Sequence, residues 1–151
     1  MTQSAGLLMF RRLREGGFEV LLGHPGGPYW ARRDAGAWTL PKGEIEPPEE
    51  PIAAACREFE EETGLAPTPP FTPLGEVRQR SGKRIHAWAF EGSFDPAALR
   101  SNTFEIEWPP RSGRREVFPE IDRVAWFGID EARTRMNPAQ CALLDRLAAS
   151  V

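Results

Sequence analysis

The chain has 151 residues, with 19 basic and 22 acidic side chains and a net charge of −3. That length fits one domain spanning residues 1–151 with a real core, and the charge excludes general nucleic-acid binding through a basic surface. No run is apolar enough to cross a membrane, and the apolar residues 5–10 are too short for a secretory signal. Two cysteines, Cys56 and Cys141, make no disulfide framework or zinc site. We therefore expect both to be buried thiols in a reduced, cytoplasmic protein.

In chain order, Ser4–Arg12 and Phe18–Gly23 read as two strands around a Glu15-Gly16-Gly17 turn. A long loop, His24–Trp38, follows; loops of this length in a compact domain are mostly functional. Leu74–Arg80 and Arg84–Glu91 read as strands joined at Ser81-Gly82-Lys83, and Phe104–Trp108 alternates with the period of a strand. Pro109–Ile121 reads as a second long loop before a last strand, Arg123–Gly128. Asp130 is expected to cap a short helix ending at Met136. Asn137-Pro138 restarts another, with Leu143, Leu144 and Leu147 on its inner face. Many strands around one mid-chain helix give an α+β class with a mixed sheet.

That helix carries the chemistry. Pro51 suits its first position and Gly64 the residue beyond its end. Ile52, Ala55, Cys56 and Phe59 form one apolar stripe. The last turn is unusual, because Glu58, Glu60, Glu61 and Glu62 crowd the end that already carries partial negative charge. Glu58 and Glu62 are a like-charge i,i+4 pair. Arg57 is the only base in the helix and is spaced to reach Glu61. Glu58, Glu61 and Glu62 fall within a sector of about 100° beside the apolar stripe, while Glu60 falls elsewhere. Grouped carboxylates make a poor surface but a good site for Mg2+ or Mn2+.

The stretch Gly43–Leu65 also resembles a known pattern. Gly43, Glu49, Arg57-Glu58, Phe59, Glu61-Glu62, Gly64 and Leu65 reproduce the Nudix box without a gap. The resemblance implies the Nudix fold, a mixed sheet between helices in an α/β/α arrangement. It implies a divalent-metal-dependent hydrolase of phosphoanhydride bonds in nucleoside diphosphate-linked compounds, with Mg2+ or Mn2+ as cofactor. Glu58, Glu61, Glu62 and the main-chain oxygen of Lys42 would be metal ligands. Glu61 and Arg57 belong to the catalytic set, Arg57 and Glu49 orienting carboxylates. The family often adds an acidic residue six positions before a Trp in the final strand. Glu120 stands six before Trp126, as ligand or general base, with Glu107 and Glu116 as alternatives.

The lead-in WTLPKG resembles the subgroup acting on dinucleoside polyphosphates and diphosphoinositol polyphosphates. Two departures leave the substrate open. Pro48 replaces a usual glycine, and the Arg80–Lys83 window lacks the Pro or Tyr that marks some subgroups. Lys42, Lys83, Arg84, Arg111, Arg114 and Arg115 are candidate phosphate contacts, since an anionic ligand needs local cations. His86 is a candidate pocket residue, and Trp30 is a candidate for stacking on a base, as are Tyr29, Trp88 and Trp108; His24 reads as an ordinary loop residue. The expected partner is a small nucleotide or polyphosphate. The competing reading is a non-catalytic nucleotide-sensing module with the same fold. RNA cap hydrolysis would need a basic channel.

Overall fold

The computed structural model describes residues 3–151. Strand β1 (Gln3–Arg12) lies at the centre, where its uninterrupted apolar run is buried on both faces. It pairs antiparallel with β2 (Phe18–Pro25) and with the short β3 (Lys42–Glu44), and in parallel with β5 (Arg84–Glu91). With β4 (Thr72–Arg78) and β8 (Ile121–Gly128) the sheet runs β4-β5-β1-β2-β8 and is mixed, as expected.

Side chains of β1 alternate between two cores. Ala5, Leu7 and Met9 meet Ala54, Ala55 and Phe59 of helix α1 (Pro51–Thr63). Leu8 and Phe10 meet Leu143, Leu144 and Leu147 of helix α3 (Ala142–Ser150) on the opposite face. The sheet is thus sandwiched between helices in the Nudix arrangement.

The structure corrects several expectations. The stretch Pro109–Ile121 is not one loop: β7 (Arg115–Pro119) pairs with β6 (Thr103–Glu107) in a separate two-stranded hairpin. Most of β7 is exposed, so no apolar alternation announces it. Strand β3 has no signal in the sequence either, because three residues are too few to show a period. Helix α2 (Ile129–Arg135) is preceded by Gly128 with no side-chain cap, and Asp130 lies in its first turn. Asn137 does cap, accepting from the N–H of Ala139, but it opens a 3-10 turn before α3. His24 is not an ordinary loop residue. It is fully buried at the end of β2, with Nδ1 3.0 Å from Asp122 and Nε2 2.6 Å from the Arg33 carbonyl oxygen. Cys56 and Cys141 are free but only half-buried, a partial correction to the expectation of buried thiols.

The first long loop is pinned rather than free. Thr39 and Gly23 exchange backbone hydrogen bonds of 2.8 and 2.9 Å, and Trp38 Nε1 donates to Asp34, which also pairs with Arg135. These contacts hold residues 24–41 over one end of the sheet, beside the start of β3. Among the described residues no helix is long and apolar enough to cross a membrane.

Candidate active site

Helix α1 begins at Pro51 and ends at Gly64, whose φ of 85° gives it the left-handed conformation glycine tolerates; its N–H closes on the Glu60 carbonyl. This fixes the last turn, and with it the directions of its glutamates. Glu62 is buried, Glu58 half-buried, and the Glu60 and Glu61 side chains are exposed.

One guanidinium organises the group. Arg57 grips Glu49 through Nε and Nη2, at 2.8 and 3.0 Å, and donates to Glu58 at 2.8 Å. Its expected contact with Glu61 exists but is longer, 3.3 Å. It also donates to the Glu44 carbonyl at 3.0 Å, which ties α1 to β3. The grip of Arg57, helped by the Glu46 N–H, holds the Glu49 carboxyl down at about 2. The arginine in turn is pushed above its ordinary value by Glu49 and then Glu58.

Gly43 explains the fixed glycine before the helix. A Cβ there would stand 2.0 Å from the Glu58 carboxylate, so the carboxylate packs directly on the glycine backbone. The neighbouring Lys42 N–H donates to Glu62 at 3.2 Å.

A cavity of about 380 Å³ is lined by Ser4, Lys42, Gly43, Glu58, Glu61, Glu62, Lys83, Asn102 and Glu120. Burial pushes Glu62 up to about 8, with Glu58 and Glu120 adding to the shift and Lys42 opposing it. Burial also raises Glu58 and Glu120, and it lowers the Lys42 amine. The cavity therefore holds carboxylates that repel one another in a poorly solvated space. Ser4 adds a buried hydroxyl with no hydrogen-bond partner among the described residues. Hard oxygen donors with uncompensated charge are the donor set of Mg2+ or Mn2+. Among the described residues, however, no three His, Cys, Asp or Glu side chains converge enough to define a cation site alone.

A second cleft of about 240 Å³ adjoins the first and shares Lys42, Glu62 and Glu120 with it. Its walls mix Pro25, Trp30 and Ile121 with the amides of Gln79, Asn137 and Gln140. Gln140 is buried and bridges Thr39 and the Leu40 N–H. The Asn137 side-chain oxygen is used in its cap.

Of the residues singled out by sequence, the structure gathers Lys42, Glu58, Glu61, Glu62, Lys83 and Glu120 around one cavity and puts Trp30 at its neighbour. It does not bring Arg84 and His86 there. His86 lines a different depression, with Nε2 2.6 Å from Gln3 Oε1 and Glu76 near Nδ1; Arg84 pairs with Glu76 at 3.5 Å. Glu107 accepts from the Arg111 and Gly113 N–H groups at the hairpin tip, and Glu116 is exposed on β7. Neither lines the acidic cavity. Tyr29 packs edge-to-face on Trp108, 5.3 Å between centroids, outside both clefts. Sequence reasoning missed Ser4, Gln79, Asn102, Asn137 and Gln140, single polar residues with no local pattern.

Grouped carboxylates and nearby lysines thus line one cavity of a mixed sheet packed between helices. The family model for the NUDIX domain matches residues 2–147, and the chain belongs to that family. An octanoyltransferase of Myxococcus xanthus is 33% identical over 101 residues, which is 67% of this chain. The match covers 25% of that protein, so the chain spans about a quarter of its curated relative. Among solved structures, a C. elegans Ap4A hydrolase binary complex superposes with a TM-score of 0.67 at 22% identity, covering 99% of this chain and 96% of that one. The NUDIX domain of Shewanella oneidensis NrtR complexed with ADP ribose gives 0.65 at 17% identity, covering 97% and 86%. MutT protein from Methanosarcina mazei Go1 gives 0.59 at 20% identity, covering 98% and 93%. Likeness at these identities speaks for the fold.

Proposed function

We propose that this enzyme hydrolyses phosphoanhydride bonds of nucleoside diphosphate-linked compounds, with nucleoside and dinucleoside polyphosphates preferred, in a reaction dependent on Mg2+ or Mn2+. The observation that carries this reading is the adjacency of the two clefts. One is a carboxylate cavity suited to phosphates and a cation. The other joins it through Lys42, Glu62 and Glu120 and offers the aromatic and amide surface that a nucleoside requires. The C. elegans protein of the same fold is an Ap4A hydrolase, which supports the polyphosphate preference.

Glu58, Glu61, Glu62, Glu120 and the Lys42 carbonyl would hold the cation, which when bound neutralises phosphate charge and acidifies water. The protein's own groups do the rest. Arg57 keeps Glu58 and Glu61 aimed into the cavity. The Lys42 and Lys83 ammonium groups balance charge on the phosphates. Glu120, raised by burial, would take the proton of the attacking water. Trp30 would offer a stacking wall for a base, and Gln79 and Asn137 line the same cleft as polar groups. The free cysteines fit a cytoplasmic location.

The test is a panel of nucleoside triphosphates, dinucleoside polyphosphates, ADP-ribose, nucleotide sugars and inositol pyrophosphates, assayed with Mg2+, with Mn2+ and with chelator. Metal-dependent cleavage of a polyphosphate member is expected. Tight nucleotide binding with no cleavage anywhere would favour the sensing module instead.

A further inference from the structure

Glu120 reaches the acidic cavity from the junction of β7 and β8, far along the chain from α1. The route between them through the sheet crosses β1 and β2. A shorter link exists. The Asn102 N–H donates to the Glu61 carbonyl at 2.8 Å, satisfying one of the orphan carbonyls at the end of α1. The Asn102 carbonyl accepts the Glu120 N–H at 2.9 Å, and the Glu120 carbonyl accepts the Gly26 N–H at 2.9 Å. Two residues earlier, the Arg100 N–H donates to the Thr63 carbonyl at 3.0 Å.

Ser101 closes the link. Its hydroxyl donates to the Asn102 carbonyl at 2.8 Å and accepts the Ile121 N–H at 3.0 Å. On the far side, a Cβ at Gly26 would stand 1.8 Å from the Pro119 carbonyl oxygen, so only glycine permits that approach. The backbone of Glu120 is thus held on one side by α1, through residues 100–102, and on the other by the pinned loop. A misplacement of about 1 Å in a catalytic group costs on the order of a hundredfold in rate, so the link has a function to serve.

We infer that Arg100–Asn102 is a staple that sets the Glu120 carboxylate against Glu61 and Glu62, with the Ser101 hydroxyl as its positioning residue. The inference rests on the proposed role of Glu120 in the cation site. Ser101 touches no reacting atom and acts only through Glu120.

The test titrates Mn2+ alone into the 151-residue chain, with thermal melts alongside, for the parent, Ser101→Ala, Ser101→Thr, Glu120→Gln and the double variant Ser101→Ala/Glu120→Gln. Ser101→Ala should weaken Mn2+ about tenfold, the scale for losing a partner that orients a ligand. Ser101→Thr, which keeps the hydroxyl, should restore affinity, and Ser101→Ala should add nothing to Glu120→Gln. Unchanged affinity in Ser101→Ala, or an equal further loss in the Glu120→Gln background, overturns the staple while leaving Glu120 as assigned. An unchanged affinity in Glu120→Gln overturns that assignment and the staple with it. Amide exchange in the parent chain tests the link even if Ser101→Ala fails to fold. The Glu120 and Asn102 amides should be protected, and exchange as fast as at the exposed hairpin tip overturns the staple.

Discussion

At the scale of single residues, Gly43 and Glu58 compete for one volume. Gly43→Ala should displace the Glu58 carboxylate and lower turnover about a hundredfold, with little change in melting temperature, since β3 has exposed backbone on one side. A melt that collapses while activity per folded molecule stays normal would refute this. Glu61→Gln should abolish turnover and leave the fold intact; near-normal rates with Mg2+ would remove Glu61 from the site. Glu120→Gln should slow turnover at least about tenfold, the scale for losing a general base. Glu62 gives a pH test. Its carboxyl is raised from 4.5 to about 8 by burial first. The native metal-free chain then holds a proton that the unfolded chain has lost, so stability falls as pH rises from 4.5 through 8. In chelator, Glu62→Gln should melt higher than the parent at pH 8 by on the order of 10 °C, at about 1.4 kcal/mol per unit of pKa and about 2–4 °C per kcal/mol for a chain this size. The gap should vanish near pH 4. Glu58, Glu61 and Glu62 were legible from sequence because one turn of helix sets their spacing. Ser4 and Asn102 were not, because nothing near them in the chain hints at the cavity they share.

At the scale of elements, the end of α1 stays folded against its own charge because Arg57 lies within reach of Glu49, Glu58 and Glu61. The Glu49 carboxyl is held near 2 rather than 4.5, so its contribution is fully present above 4.5 and is lost as pH falls toward 2. Melting curves should show the parent above Glu49→Gln at neutral pH, with the gap closing through that acid range; a constant gap would mean that Glu49 acts by packing instead. The helix was legible in full from its Pro51 start, its apolar stripe and its Gly64 end. The β6–β7 hairpin was legible in half. β6 alternates, whereas β7 carries Arg115, Glu116 and Val117 facing solvent, and an exposed strand has no reason to alternate. His24 departs from its sequence reading for the converse reason. A histidine beside Pro25 looks like loop, and only the distant Asp122 and Arg33 make its burial tolerable.

At the scale of the molecule, two independent cores flank one sheet, and only the one containing α1 supports the cavity. Leu147→Ala in α3 should cost about 2–5 kcal/mol by leaving a void in the opposite core. Below its melting temperature that variant should keep the parent metal-dependent rate. A selective loss of rate in a fully folded Leu147→Ala protein would show that the two cores are coupled.

By itself the sequence determined what a few adjacent residues can settle. It placed a capped helix with three carboxylates on one sector, a tight turn at Pro41 and Gly43 before it, a first strand over residues 4–12 and the mixed-sheet class. Local geometry is enough for these, since helical and strand periods are properties of the backbone. Only the tertiary structure decided which distant polar groups join them. It brought Glu120 and Asn102 to the end of α1, left His86 and Arg84 outside the acidic cavity, and set an aromatic and amide cleft beside the acids. Those choices depend on sheet order and loop closure, which follow from burying both faces of β1 at once and leave no trace in any single window of the chain.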